Sequence, residues 1–138
     1  MKSANTDSTR CEYENDLSDD KTFLIVRLRE PVTYKVAKAF TDDTVELAAR
    51  LGIKKFLIDA RGFGCELSSL QAYLFAQDFL QAHLFAQKLE NMGRMRFHKL
   101  ALVVNQTDDT YAFLETITRN RGINTRIFID YNDAVAWL

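Results

Sequence analysis

Residues 21–30 (KTFLIVRLRE) place Phe23, Ile25, Arg27 and Arg29 on one parity and Leu24, Val26 and Leu28 on the other. A period of two in a run rich in β-branched and aromatic residues predicts a strand. Residues 10–15 (RCEYEN) alternate weakly, and Leu17, Ser18, Asp19 and Asp20 have turn composition, so the two runs read as a hairpin. Pro31 ends the second strand, because it lacks a ladder N–H and suits a first helical turn. From 33 to 51 the pattern changes to a helical one, with Val36, Phe40, Leu47 and Leu51 in a row that Val45 and Ala48 broaden. Gly52 stands where a helix-ending glycine belongs. A competing reading makes 32–40 a strand and starts the helix at Asp43, with Glu46 completing a capping box. A single helix is the reading adopted.

The rest of the chain alternates strand and helix. Residues 53–60 (IKKFLIDA) and 99–104 (KLALVV) end in or consist of apolar runs, as strands buried on both faces do. Between them lie the loop 61–66, a cap at Ser68 or Ser69, and a helix reaching about Asn91, with Gly93 as its stop. Residues 111–120 form a helix with Tyr111, Leu114 and Ile117 on one face and Phe113 beside it, and Gly122 stops it. Residues 123–130 (INTRIFID) are the last strand, and 132–138 a closing helix whose Ala134, Val135, Trp137 and Leu138 dock on the sheet. The order ββαβαβαβα predicts an α/β protein with a single, mostly parallel five-stranded sheet. In such sheets sites gather at the carboxyl ends of the strands. The candidate binding loops therefore hold Asp59, Arg61, Gly62, Gly64, Asn105 and Asp130.

The helix after Ser68 contains an internal repeat. Residues 70–77 (LQAYLFAQ) recur as 80–87 (LQAHLFAQ), differing only at Tyr73 and His83. Ten residues add about 15 Å of helix and turn the second copy by about 80° from the first. Phe75 and Phe85 then fall on different stripes with Phe79 between them, and the apolar surface wraps around the helix. Residues 68–91 span about 36 Å as one helix, whereas a typical strand spans only about 17–20 Å. The helix either overhangs the sheet or breaks near Asp78. An overhang exposes Phe75, Phe79, Leu84, Phe85 and Leu89, and a second copy of the chain is the simplest cover for them. These five are the candidate homodimer interface.

Composition narrows the function more by exclusion than by assignment. A chain of 138 residues, 47% hydrophobic and 27% charged, is one ordinary globular domain. No apolar run approaches the roughly 20 residues of a membrane span. The net charge of −1 offers nucleic acid no electrostatic footprint. That charge is uneven: residues 1–20 hold two cations against six acids, leaving 16 cations against 13 acids in the remainder. Residues 1–9 (MKSANTDST) read as a flexible acidic leader without the apolar core of a signal peptide, which makes a cytoplasmic location the expectation. Cys11 and Cys65 are expected to be free thiols, and His83 and His98, 15 apart, complete no zinc pattern. Gly62 and Gly64 match no phosphate or dinucleotide fingerprint, so no cofactor or metal is expected. Arg61 can hold an anion bidentately or pair with Asp59, and the pairing is the plainer reading. Arg119 and Arg121 suit a helix C-terminus, where cations meet the negative dipole end. No constellation of nucleophile, base and orienting group is visible, so the chain is not expected to be an enzyme. A hydrolase built on Asp59, Cys65 and a histidine needs a base within hydrogen-bond reach of the thiol.

The element order, the strand end Leu57-Ile58-Asp59-Ala60-Arg61-Gly62, and a tail containing Asn120-Arg121-Gly122, Arg126-Ile127-Phe128, Asp130, Ala134 and Trp137-Leu138 resemble the STAS domain superfamily. More narrowly, they resemble its bacterial stand-alone SpoIIAA-like members. The likeness runs from about Cys11 to the end, making 10–138 a STAS-like domain. It implies a non-catalytic regulatory module that works through protein partners. Members of the anti-sigma factor antagonist kind carry a phosphorylated serine at the start of the helix after the third strand, in a run like Asp-Ser-Ser-Gly. The matching position is Ser68, followed by Ser69, with Leu67 and Leu70 in place of the flanking Asp and Gly. Ser68 and Ser69 are thus candidate phosphoacceptors or helix caps. The alternative function is binding of a small apolar or lipid-like ligand, with some of the ten phenylalanines lining a pocket between the long helix and the sheet.

Overall fold

The computed structural model describes residues 13–64, 66–86, 98–106, 109–120 and 122–138, and from 79 to 86 only the course of the helix. The leader 1–9, Cys11, Cys65, Leu89 and Arg121 lie outside the described residues, as do the side chains of Phe79, His83, Leu84 and Phe85. Among the described residues nine elements follow one another: β1 Tyr13–Leu17, β2 Leu24–Leu28, α1 Tyr34–Leu51, β3 Lys55–Asp59, α2 Ser69–Ala86, β4 Lys99–Val103, α3 Asp109–Asn120, β5 Asn124–Phe128 and α4 Tyr131–Trp137. They form one five-stranded sheet in the order β1-β2-β3-β4-β5. The β1–β2 pair is antiparallel, and every later pair is parallel. The α/β class, strand count and element order expected from the pattern all hold.

The connectivity decides where the core lies. Each parallel crossover steps one strand in the same direction, so right-handed connections put α1, α2 and α3 on one face. The row Val26–Ile58–Leu102–Ile127 runs across the strands beneath these helices, and the neighbouring row Ile25–Leu57–Ala101–Arg126 faces the other way. The large core cluster joins Leu24, Val26, Phe56, Ile58, Leu100 and Leu102 to Val36, Phe40, Ala72, Phe75, Tyr111 and Leu114 of the three helices. On the opposite face α4 covers a smaller cluster of Phe23, Ile25, Leu57, Ala101 and Val103 with Ala134, Trp137 and Leu138. Val135, expected to dock there, is instead 37% exposed. One residue separates it from the inward Ala134, which turns it about 100° away.

Local chemistry sets the boundaries. The hairpin turn closes around Ser18, whose hydroxyl accepts from the N–H groups of Thr22 and Phe23 at 3.1 Å each. This pulls 21–23 out of the expected strand. α1 starts at Tyr34, because the Thr33 hydroxyl accepts from the N–H of Val36 at 3.3 Å. The start at Asp43 does not occur; Asp43 lies within the helix, and its carboxylate accepts from the Tyr13 hydroxyl. Gly52 ends the helix in the left-handed region, at φ 71°. α2 passes through Asp78 unbroken, at least as far as Ala86.

Candidate functional site

Three of the sequence-selected loops meet at the carboxyl edge of the sheet. Asp59 ends β3, and its carboxylate takes a two-pronged bond from Arg61, with Nε at 2.8 Å and a terminal nitrogen at 2.7 Å. The Arg61 backbone N–H adds a third bond at 3.2 Å. The guanidinium also lies 5.0 Å from the centre of the Tyr131 ring on α4, a cation–π contact. Burial pushes the Asp59 carboxyl up, but the bonds from Arg61 outweigh it and hold the group below its ordinary value. The same bonds raise Arg61. Gly62, at φ 89°, donates its N–H to the Asn105 side-chain oxygen across the gap to the β4 loop. Asp130 lies nearby and caps α4, accepting from the N–H groups of Asn132 and Asp133 at 2.7 and 3.3 Å.

The cluster of Asp59, Arg61, Gly62, Asn105 and Asp130 is therefore brought together, as the topology implied. Gly64 is not part of it. Its carbonyl accepts from the Val32 N–H at 3.0 Å, and Val32 in turn accepts from Glu66, which ties the loop to the start of α1. Asp59 is occupied by Arg61 and Asn105 by Gly62, while Asp130 is occupied by the backbone of α4. Arg61 and Gly62 brace the β3–α2 loop against α4 and the β4 loop. Among the described residues no group of three His, Cys, Asp or Glu is placed to hold a metal ion. His98 is buried ahead of β4, and the Cys65–histidine geometry lies outside the described residues.

The braced loop delivers the start of α2. Ser68 accepts from the Gln71 N–H at 3.1 Å, and the Gln71 side chain accepts from the Ser68 N–H at 3.0 Å, a reciprocal capping box. Ser68 is thus a helix cap, with Ser69 the first helical residue, and both are exposed. Beyond them α2 has two apolar faces. Ala72, Phe75 and Ala76 are buried inward, and Phe75 meets Phe40 edge-on at 6.0 Å. Outward stand Leu70 at 67% exposure, Tyr73 at 42% and Leu74 at 37%. Of the expected interface residues, Phe75 is instead a core residue, and among the described side chains the outward row is Leu70, Tyr73 and Leu74. The i, i+3, i+4 spacing sets 70, 73 and 74 opposite 72, 75 and 76, but both rows are apolar, so spacing alone does not say which one faces the core.

Three spaces among the described residues bear on ligands, one of them a shallow hollow of about 630 Å³ beside Arg126, Phe128, Asp133 and Trp137. The void enclosed by α1, α2, α3 and the sheet measures about 20 Å³, enough for one water-sized occupant. On the opposite face an open cleft of about 430 Å³ lies between the 17–20 turn and α4, over Ile25 and Arg27. Arg27 is paired there with Asp16 at 3.1 Å.

The layered geometry has a counterpart among crystal structures. An uncharacterized protein of the DUF3478 family from Shewanella loihica PV-4, with a SpoIIAA-like fold, superposes on this chain with a TM-score of 0.54. The match covers 91% of each chain at 20% sequence identity. The fold is SpoIIAA-like. At that identity the likeness speaks for architecture alone. No family model matches the chain, and no curated protein matches it. Among the described residues of this SpoIIAA-like chain, no helix is long and apolar enough to cross a membrane.

Proposed function

We propose that this chain is a non-catalytic regulatory module that acts through protein contact and self-associates as a homodimer through the outer face of α2. The observation that carries this reading is that α2 is apolar on both sides. Its inner side completes the core, while Leu70, Tyr73 and Leu74 face outward. A helix apolar all round belongs in an interior, and among its described side chains the outer row is exposed. The outer face also suits a second copy. Between 69 and 86 the only formally charged residue is Asp78, and its carboxylate accepts from the Tyr34 hydroxyl of α1 at 2.8 Å. A two-fold interface sets each residue against the same surface, so a face without charge meets its own image without repulsion. The occupied polar groups of the carboxyl edge support a bracing role for that loop rather than a reaction.

Sedimentation velocity on the wild type and on Leu70→Asp/Leu74→Asp tests the reading. The wild type is expected to be a dimer, and the variant a monomer with an unchanged circular dichroism spectrum. A wild-type monomer would remove the homodimer. If the variant also captures the same proteins as the wild type in a pull-down, the interaction reading falls with it. For the alternative of a small apolar or lipid-like ligand, the void among the described residues beneath α2 measures about 20 Å³. Native mass spectrometry showing a bound apolar molecule would favour that alternative.

A further inference from the structure

Among the described residues β5 is the last strand of the sheet, and its outer side carries the backbone groups that a further strand would use. Two of them are taken by side chains of α3. The Ile127 N–H donates to Glu115 Oε2 at 2.9 Å, and the Thr125 carbonyl accepts from Arg119 Nε at 2.7 Å. The spacings match. Four residues of helix advance about 6 Å, and two residues of strand advance about 6.6 Å. The chemistry matches as well, since the anionic acceptor meets the backbone donor and the cationic donor meets the backbone acceptor. The pair mimics the hydrogen bonds of an absent neighbour. The strand beneath needs such cover, because residues 123–128 (INTRIF) are β-prone with one charge, Arg126.

We infer that Glu115 and Arg119 guard the β5 edge, closing it to strand addition by a second copy of the chain. The guard is independent of the α2 reading: it concerns the association that the fold prevents. In Glu115→Ala/Arg119→Ala, hydrogen exchange at the Ile127 amide is expected to rise at least tenfold. Sedimentation velocity should then show species larger than the wild type that grow with protein concentration. Glu115→Gln keeps an acceptor in place and is expected to behave as the wild type. A double variant with native circular dichroism but unchanged exchange and sedimentation would overturn the inference. So would a Glu115→Gln variant that associates as the double variant does. If the double variant loses its native spectrum, Glu115→Ala alone carries the same two readouts.

Discussion

Asp59 shows how much one residue's environment can be read from its neighbours in the chain. It lies two residues before Arg61, at the end of a buried strand, and the pairing follows from that spacing. The Tyr131 ring beside the guanidinium does not, because it comes from the far end of the chain. The pair has a pH signature. The Asp59 carboxyl is held below the ordinary carboxylate value of about 3.9, so its contribution to stability is fully present above that pH. It is lost as the pH falls through the lower folded-state value. The melting temperature of Asp59→Asn is therefore expected to lie below that of the wild type at neutral pH. The gap should close below about pH 4. A gap constant from pH 7 to 2 in thermal scans would show that the charge of Asp59 is not what stabilises the loop. Phe75 is the opposite case. Nothing adjacent to it in sequence says which side of α2 it occupies, and the answer is supplied by Phe40, 35 residues earlier.

At the scale of elements, punctuation was the most legible feature. Ser68 caps α2 as its spacing allows, and Gly52 and Gly122 stand at the expected stops, whereas the caps at Thr33 and Asp130 emerge only in the structure. Gly52 ends α1 at φ 71°, and a Cβ added to it meets nothing within 4 Å. Gly52→Ala is thus expected to cost about 1 kcal/mol through backbone conformation alone. Urea unfolding should show this as a lower midpoint at unchanged slope. A neutral substitution would mean that the left-handed turn is not required. The ends of the strands were less legible. The 17–23 turn takes three residues from the expected second strand, because Ser18 reaches back across it. α2 was expected either to overhang or to break at Asp78. It continues through Asp78, whose carboxylate is engaged by Tyr34 from the neighbouring helix.

At the scale of the whole molecule, the two faces of α2 make a paired prediction. Phe75 is 3% exposed in the core, so Phe75→Ala is expected to cost about 3–5 kcal/mol. Leu74, next to it in sequence and 37% exposed, is expected to change the stability of the monomer by no more than about 0.5 kcal/mol on truncation to alanine. Measured in urea at a concentration low enough to dissociate any dimer, similar costs at the two positions would contradict this division of faces. The sequence by itself determined the class of the fold, the order of the elements, most helix ends, and which loops share the carboxyl edge. These follow from short-range rules, namely hydrophobic period, capping chemistry and the handedness of crossovers. Only the tertiary structure decided which side of α2 faces the core, that α4 covers the opposite face, and that α3 side chains close the β5 edge. Those outcomes depend on groups far apart in the chain, and periodicity carries no information about which distant surface an apolar stripe will meet.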